Sequence, residues 1–231
     1  MYKFRFFFVL LFLLLSYISF SQNDKVFIKH EKVLYKSTKQ GDLNLYFYRP
    51  LDFDKSKTYN CIIFFHGGGW NSGDYKQFER QSMYFASRGM IAISAEYRIK
   101  NKHGTTPIQA MEDAKSAIRF LRLNAKSFFI NPNRIAAAGG SAGGHLAAVT
   151  ANIDLFENVN EDLGISSKPN LLVLYNPVID FGSRKWLWID NPSDASPVHN
   201  ISKGSPPTII LTGTKDKIVP VETIMNYKKI M

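Results

Sequence analysis

Residues 134–144 read RIAAAGGSAGG. A short apolar run, Arg134–Ala138, meets two glycines, a serine, an alanine and two more glycines, after which Ala142–Ala151 continues with helical character. Gly139-Gly140-Ser141-Ala142-Gly143 therefore fits G-x-S-x-G between a strand and a helix, and that context matters more than the letters. A serine at the tip of so sharp a turn is held in a strained backbone conformation. Glycines two before and two after it let strand and helix approach closely. The hydroxyl then projects from the sheet, above a helix N-terminus that favours developing negative charge. The competing readings are a plain glycine-rich turn and a phosphate cradle. A P-loop requires Gly-Lys-Ser/Thr, which is absent, and a dinucleotide loop requires G-x-G-x-x-G with an acidic residue downstream.

Working outward, the same strand-then-helix alternation repeats. Tyr59–Phe65 (YNCIIFF), Met90–Ala95, Leu171–Tyr175 and Thr208–Thr212 are short continuous apolar runs, the pattern of strands buried on both faces. Lys76–Ser87, Pro107 to about Ala125, and a segment opened by Pro220 carry helical patterns. In the second of these, Ala110, Ala114, Ala117, Ile118 and Leu121 share one face. Asn131-Pro132-Asn133 reads as a turn introducing the Arg134–Ala138 strand. Before all of this, Glu31–Thr38 and Leu43–Arg49 alternate apolar and polar residues around Gln40-Gly41-Asp42, which reads as an antiparallel pair. The expected fold is α/β: a mostly parallel sheet with helices on both faces. Function in such sheets gathers at the carboxyl ends of the strands.

The residues just past each strand are therefore the informative ones. Tyr59–Phe65 runs into His66-Gly67-Gly68-Gly69-Trp70. Residues without side chains after a strand let backbone N–H groups point into a cavity, where they can hold the oxyanion of a tetrahedral intermediate. Gly68 and Gly69 are the expected donors, with the Ala142 N–H as a third. Trp70 is placed to supply a wall or an N–H. His66 precedes the donors and is expected to fix the loop by hydrogen bonding rather than act as a base. Together the two glycine motifs indicate acyl-transfer chemistry with Ser141 as nucleophile.

At this point the residues resemble the α/β-hydrolase superfamily. More narrowly, they resemble the secreted esterase and lipase group with an HGGGW loop, which includes acetyl-xylan and feruloyl esterase-like proteins and relatives of the hormone-sensitive lipase group. The resemblance runs from about Val33 onward. It rests on His66–Trp70, Tyr97-Arg98, Asn131–Ile135, Gly139–His145, Gly213–Asp216 and Val219-Pro220. It implies an α/β-hydrolase fold with Ser141 as nucleophile and Asp216 as the triad acid, and it is weak on substrate. No cofactor is implied.

The acid can be argued directly as well, since the triad order in this fold is serine, acid, histidine. Asp216 follows the last strand. Asp180, after the preceding strand, is the rival, and a third reading makes Asp216 a helix N-cap. No histidine follows Asp216: the five are His30, His66, His103, His145 and His199. His199 lies between two strands, in the wrong order, and His145 is expected to pack against the sheet. One more helix and strand would place the base about 30 residues beyond Asp216. The expectation is thus that the fold's last helix and strand are cut short. The chain then reads as a fragment of a longer hydrolase, or else as a protein whose base is borrowed or absent. Either way the 231-residue product is expected to be unstable or nearly inactive, with an unpaired sheet edge.

Composition narrows the rest. Apolar residues make up 45% and charged residues 21%, an ordinary globular balance. The net charge of +10 comes from scattered residues with no long basic run, so nucleic-acid binding is not expected. A single cysteine, Cys61, excludes a disulfide framework and a Cys-rich zinc site. Asp52, Asp54 and Asp74 show no metal-ligand spacing, so no metal is expected. Residues 1–21 combine Lys3 and Arg5 with the apolar run Phe6–Leu15 and small residues at Ser19 and Ser21. That is the plan of a signal peptide cut before Gln22, leaving a hydrolase domain over 22–231 that is exported and has no stable membrane anchor. The run is too short for the ~20 residues of a membrane span. The segment Phe181–Gly204 is the one long insertion, a short cap over an open site. Trp186, Trp188 and Ile189 either line the pocket or pack over the sheet end. A small cap suits short acyl groups on bulky alcohols such as polysaccharides; an exported peptidase and a non-catalytic binding protein are the alternatives.

Overall fold

A computed structural model describes residues 29–182 and 188–231. The expected signal segment 1–21 and Trp186 lie outside them. Seven strands form one sheet: β1 (Glu31–Thr38), β2 (Gly41–Tyr48), β3 (Tyr59–Phe65), β4 (Ile91–Ala95), β5 (Ile130–Gly140), β6 (Leu171–Tyr175) and β7 (Thr208–Leu211). The order is β1-β2-β4-β3-β5-β6-β7. β1 and β2 form an antiparallel hairpin, and β2 joins β4 antiparallel. From β4 to β7 every pairing is parallel.

The longer helices among the described residues cover the sheet: α1 (Glu79–Ser87), α2 (Pro107–Leu123), α3 (Ala142–Asn152) and α4 (Val221–Ile230). The YNCIIFF run does not alternate because both of its faces are buried. Cys61, Ile63 and Phe65 belong to one apolar core with α2 and α3, while Ile62 and Phe64 belong to a second with Phe78 and α1. Burying each such side chain contributes about 1.5–3 kcal/mol, so a strand in this position tolerates polar residues only at its ends. Cys61 is a fully buried thiol, and burial raises its pKa. β7 pairs only with β6 among the described residues, and Ile209 and Leu211 on it remain about half exposed, at 54% and 49%.

Three differences in boundary from expectation have a local cause. The hairpin turns at Lys39-Gln40, and β2 starts at Gly41, because Thr38 pairs directly with Gly41. The Asn131-Pro132-Asn133 turn sits inside β5: Tyr59 pairs with Ile130 but Cys61 with Ile135, so the intervening residues bulge out. The Asn131 side chain closes this bulge by accepting from the Asn133 N–H at 3.0 Å. The helix read from Lys76 begins as a tight turn, Tyr75–Phe78, and becomes α-helical only at Glu79. Asp74 caps that turn by accepting from the Lys76 N–H at 2.8 Å.

The strand order positions the site. β3 and β5 are neighbours at the centre, and Phe65 is in register with Gly139. From β3 the chain crosses to β4 on one side, while β5 leads to β6 on the other. The crevice at the carboxyl ends of β3 and β5 is thus a topological switch point.

Candidate active site

Ser141 stands between β5 and α3 with φ 52° and ψ −117°. This conformation costs an L-residue ~1–3 kcal/mol and persists only where its surroundings over-determine it. They do so here. The Ser141 N–H donates to the Tyr175 carbonyl at 3.0 Å, and the Ser141 carbonyl accepts from the His145 N–H at 3.0 Å and the Val178 N–H at 3.2 Å. The side chain makes no capping bond to its own helix, and the residue is only half-buried. The flanking glycines are required by contact. A Cβ on Gly143 would collide with the Phe65 and His66 carbonyls, and one on Gly139 would meet the Phe65 carbonyl at 2.7 Å.

The two glycine stretches lie side by side. A Cβ placed on Gly67 would sit 3.6 Å from the Ser141 Cβ and 3.0 Å from the Gly140 carbonyl. Gly68 has φ 121° and is pressed against the Ser72 carbonyl. Its own carbonyl accepts from the Asn71 and Ser72 N–H groups, both at 3.1 Å. The N–H groups of Gly68, Gly69 and Ala142 donate to no protein group among the described residues. His66 fixes the loop as expected, its Nδ1 lying 2.8 Å from the Gly67 carbonyl. Tyr97 stacks on its ring with centroids 4.2 Å apart and donates its hydroxyl to the His66 carbonyl at 2.6 Å. Burial lowers the His66 pKa, against the Gly67 bond that raises it. From outside, the Lys100 N–H donates to the Trp70 carbonyl at 2.9 Å and the Asn101 N–H to the Asn71 carbonyl at 3.0 Å.

Asp216 Oδ1 accepts from the Ile218 N–H at 2.8 Å and the Val219 N–H at 3.0 Å. Those two amides, Val219 foremost, hold the carboxyl below its usual range. Asp216 is not a helix N-cap; that position belongs to Pro220. The rival, Asp180, accepts from the Gly182 N–H at 2.7 Å and lies 3.4 Å from His199 Nε2.

His145 departs from expectation: it faces the cap segment rather than the sheet. Its Nε2 lies 2.8 Å from the Ala195 carbonyl. Its ring meets Trp70 edge-on at 5.2 Å and Phe181 at 4.9 Å. Since a carbonyl only accepts, Nε2 carries the proton. Burial lowers the pKa from 6.5 to about 4, although the Ala195 bond opposes the shift. The folded pKa lies below the unfolded one, so between pH 6.5 and 4 the unfolded chain binds the extra proton and stability falls as pH falls. Replacing His145 with glutamine keeps a donor for Ala195 and removes the titration. Urea unfolding of the variant should show a shallower loss of stability over that window, by up to ~1.4 kcal/mol per pH unit. Equal slopes in the two proteins would refute the assignment.

Trp70 is buried, in contact with His145 and Phe181, so it forms part of the wall behind the loop. Trp188 packs on Phe181 and lines a cavity of about 510 Å³ with Ile108, Phe156, Ile189 and Asn191. Sequence reasoning missed Gln77, whose Oε1 accepts from the Gly67 N–H. It also missed Asp113, fully buried beneath Arg98. A signal for Asp113 exists in the sequence: it lies three residues after Ala110 and four before Ala117, on the apolar face of α2. No cluster able to hold a metal ion occurs among the described residues.

A sheet of this order, with a strained serine between strand and helix at the switch point, defines an α/β-hydrolase. The chain belongs to the BD-FAE family, whose model matches residues 45–184. It is 30% identical to Esterase LipC of Mycobacterium tuberculosis over 193 residues, 72% of this chain and 46% of that protein. It is 27% identical to the acetylxylan esterase of Xylanibacter ruminicola, over 71% of this chain and 35% of that one. The chain thus spans less than half the length of these curated relatives. Among solved structures, Thermogutta terrifontis esterase 2 phosphorylated by paraoxon superimposes with a TM-score of 0.84 at 44% identity. That match covers 87% of this chain and 77% of the other.

Proposed function

We propose that the protein is a carboxylic-ester hydrolase acting through an acyl-enzyme on Ser141. The Ser141 Oγ attacks the ester carbonyl, a histidine takes its proton, and the alcohol leaves with that proton. Water then attacks the acyl-enzyme by the same route and releases the acid. The N–H groups of Gly68, Gly69 and Ala142 receive the negative charge that develops on the carbonyl oxygen. Asp216 orients the histidine and stabilises its charged form: Oδ1 is held by two backbone amides, leaving Oδ2 to accept from the ring. Asp180 is the weaker choice on chain order, since it follows the strand before the last one whereas Asp216 follows the last. No histidine among the 231 residues follows Asp216, so none stands in the base's place in the triad order.

The single observation that carries this reading is the adjacency of Gly67 and Ser141, on two glycine stretches whose Gly68, Gly69 and Ala142 amides have no acceptor among the described residues. Similarity to esterases, including one named for acetylxylan, supports short acyl esters as substrates, with polysaccharide as the alcohol. We extend the proposal to export through cleavage before Gln22. A mature N-terminus at Gln22 in the secreted or periplasmic fraction tests that extension, and an intact Met1 there would contradict it.

The experiment on the oxyanion loop is Gly68→Ala. At φ 121° the added Cβ would strike the Ser72 carbonyl and turn the Gly68 amide away. For p-nitrophenyl acetate, kcat should fall about 10²–10³-fold with little change in KM. An unchanged kcat would remove Gly68 from the hole.

A further inference from the structure

The Gln77 side chain is used at only one end. Its Oε1 accepts from the Gly67 N–H, which fixes which end is the oxygen. The NH₂ end makes no bond to the protein among the described residues, and Gln77 is exposed. The group is also close to the nucleophile. A Cβ on Gly67 would lie 3.4 Å from Gln77 Oε1 and 3.6 Å from Ser141 Cβ, so those two atoms are at most about 7 Å apart. The element that carries Gln77 is anchored on both sides. Asp74 caps the Tyr75–Phe78 turn from before it, and the next residue, Phe78, is buried against Phe64 with centroids 5.1 Å apart.

We propose that Gln77 is a specificity-determining residue whose Nε2–H₂ donates a hydrogen bond to the alcohol portion of the ester. The inference rests on the ester-hydrolase reading. A short acyl group carries no acceptor besides the ester itself, so the partner is placed on the alcohol, at a hydroxyl next to the esterified position. A sugar presents such an oxygen and p-nitrophenol does not. The carbonyl end of the same amide holds the loop that bears Gly68 and Gly69, so substrate contact and loop position are read by one side chain.

The test uses the protein and its Gln77→Glu variant. Glutamate keeps an acceptor for the Gly67 N–H but has no N–H to offer. Three acetates are compared: p-nitrophenyl acetate, a methyl xylopyranoside acetylated next to a free hydroxyl, and its deoxy analogue lacking that hydroxyl. The added negative charge near the oxyanion loop lowers all three rates, so the readout is a ratio: the proposal expects kcat/KM on the hydroxyl-bearing sugar to fall ~5–10-fold further than on the other two. An equal loss on all three would reduce Gln77 to loop support, and no loss on any would remove it altogether; either overturns the proposal. A wild-type protein that cleaves none of the esters would refute the hydrolase reading instead. The Gln77 inference is then decided without turnover. In a Ser141→Ala background, calorimetry should show weaker binding of the hydroxyl-bearing sugar acetate when Gln77→Glu is added, and unchanged binding would overturn it.

Discussion

Replacing Ser141 with alanine should lower kcat on p-nitrophenyl acetate by about 10⁴–10⁶-fold. The size of the effect comes from the mechanism: without Oγ no acyl-enzyme forms, and only water activated in the same site remains. The fold should be untouched. The backbone of Ser141 is held by Tyr175, His145 and Val178 through main-chain bonds that alanine retains. Its side chain makes no capping bond that would be lost. Stability by urea unfolding should therefore stay within ~0.5 kcal/mol of the parent. Activity persisting within tenfold of the parent would move the nucleophile elsewhere.

The second large effect is on stability, at a residue distant from Ser141 in the chain. Asp113 is fully buried on α2. It accepts from the Arg98 main-chain N–H at 3.0 Å and from both Nε and an Nη at 2.7 Å, and it lies 2.8 Å from Lys36 Nζ. Arg98 follows Tyr97, whose hydroxyl holds the His66 carbonyl. Asp113 thus ties β1, α2 and the segment beneath the oxyanion loop together. Asp113→Ala would leave two largely buried cations, Arg98 and Lys36, without this partner. Removing one member of a buried pair costs about 3–5 kcal/mol, well beyond the ~1 kcal/mol of an exposed one. Urea unfolding should show that loss, and Asp113→Asn, which still accepts from Arg98, should show less. A change below ~0.5 kcal/mol for Asp113→Ala would contradict the arrangement.

Much of the site is legible in the sequence because it is built from backbone. A serine with glycines at fixed offsets encodes its own turn, and three glycines after a strand encode a loop with unblocked amides. Both are local, so adjacent residues state them. The core strands are legible for a similar reason: residues buried on both faces leave an unbroken apolar run. The features that escape depend on approach across the chain. Gln77 reaches Gly67 ten residues back, from a tight turn that the amphipathic pattern of residues 76–87 disguises as regular helix. Asp113 meets Arg98 fifteen residues away, and only the closed sheet brings them together. The sequence pattern places His145 against the sheet because α3 lies there. Its ring points instead to the cap, where the Ala195 carbonyl supplies the partner its buried Nε2–H requires. The bulge at residues 131–133 has the signature of a turn because Pro132 breaks the ladder there while the strand continues on both sides.

The most direct measurement is covalent. The gene product is incubated with paraoxon, digested, and mapped by mass spectrometry. If Ser141 is the nucleophile proposed above, it should carry the diethylphosphoryl group, and the Ser141→Ala protein should carry none. Phosphorylation at another residue, or an unmodified Ser141 in folded protein that still hydrolyses esters, would contradict the account.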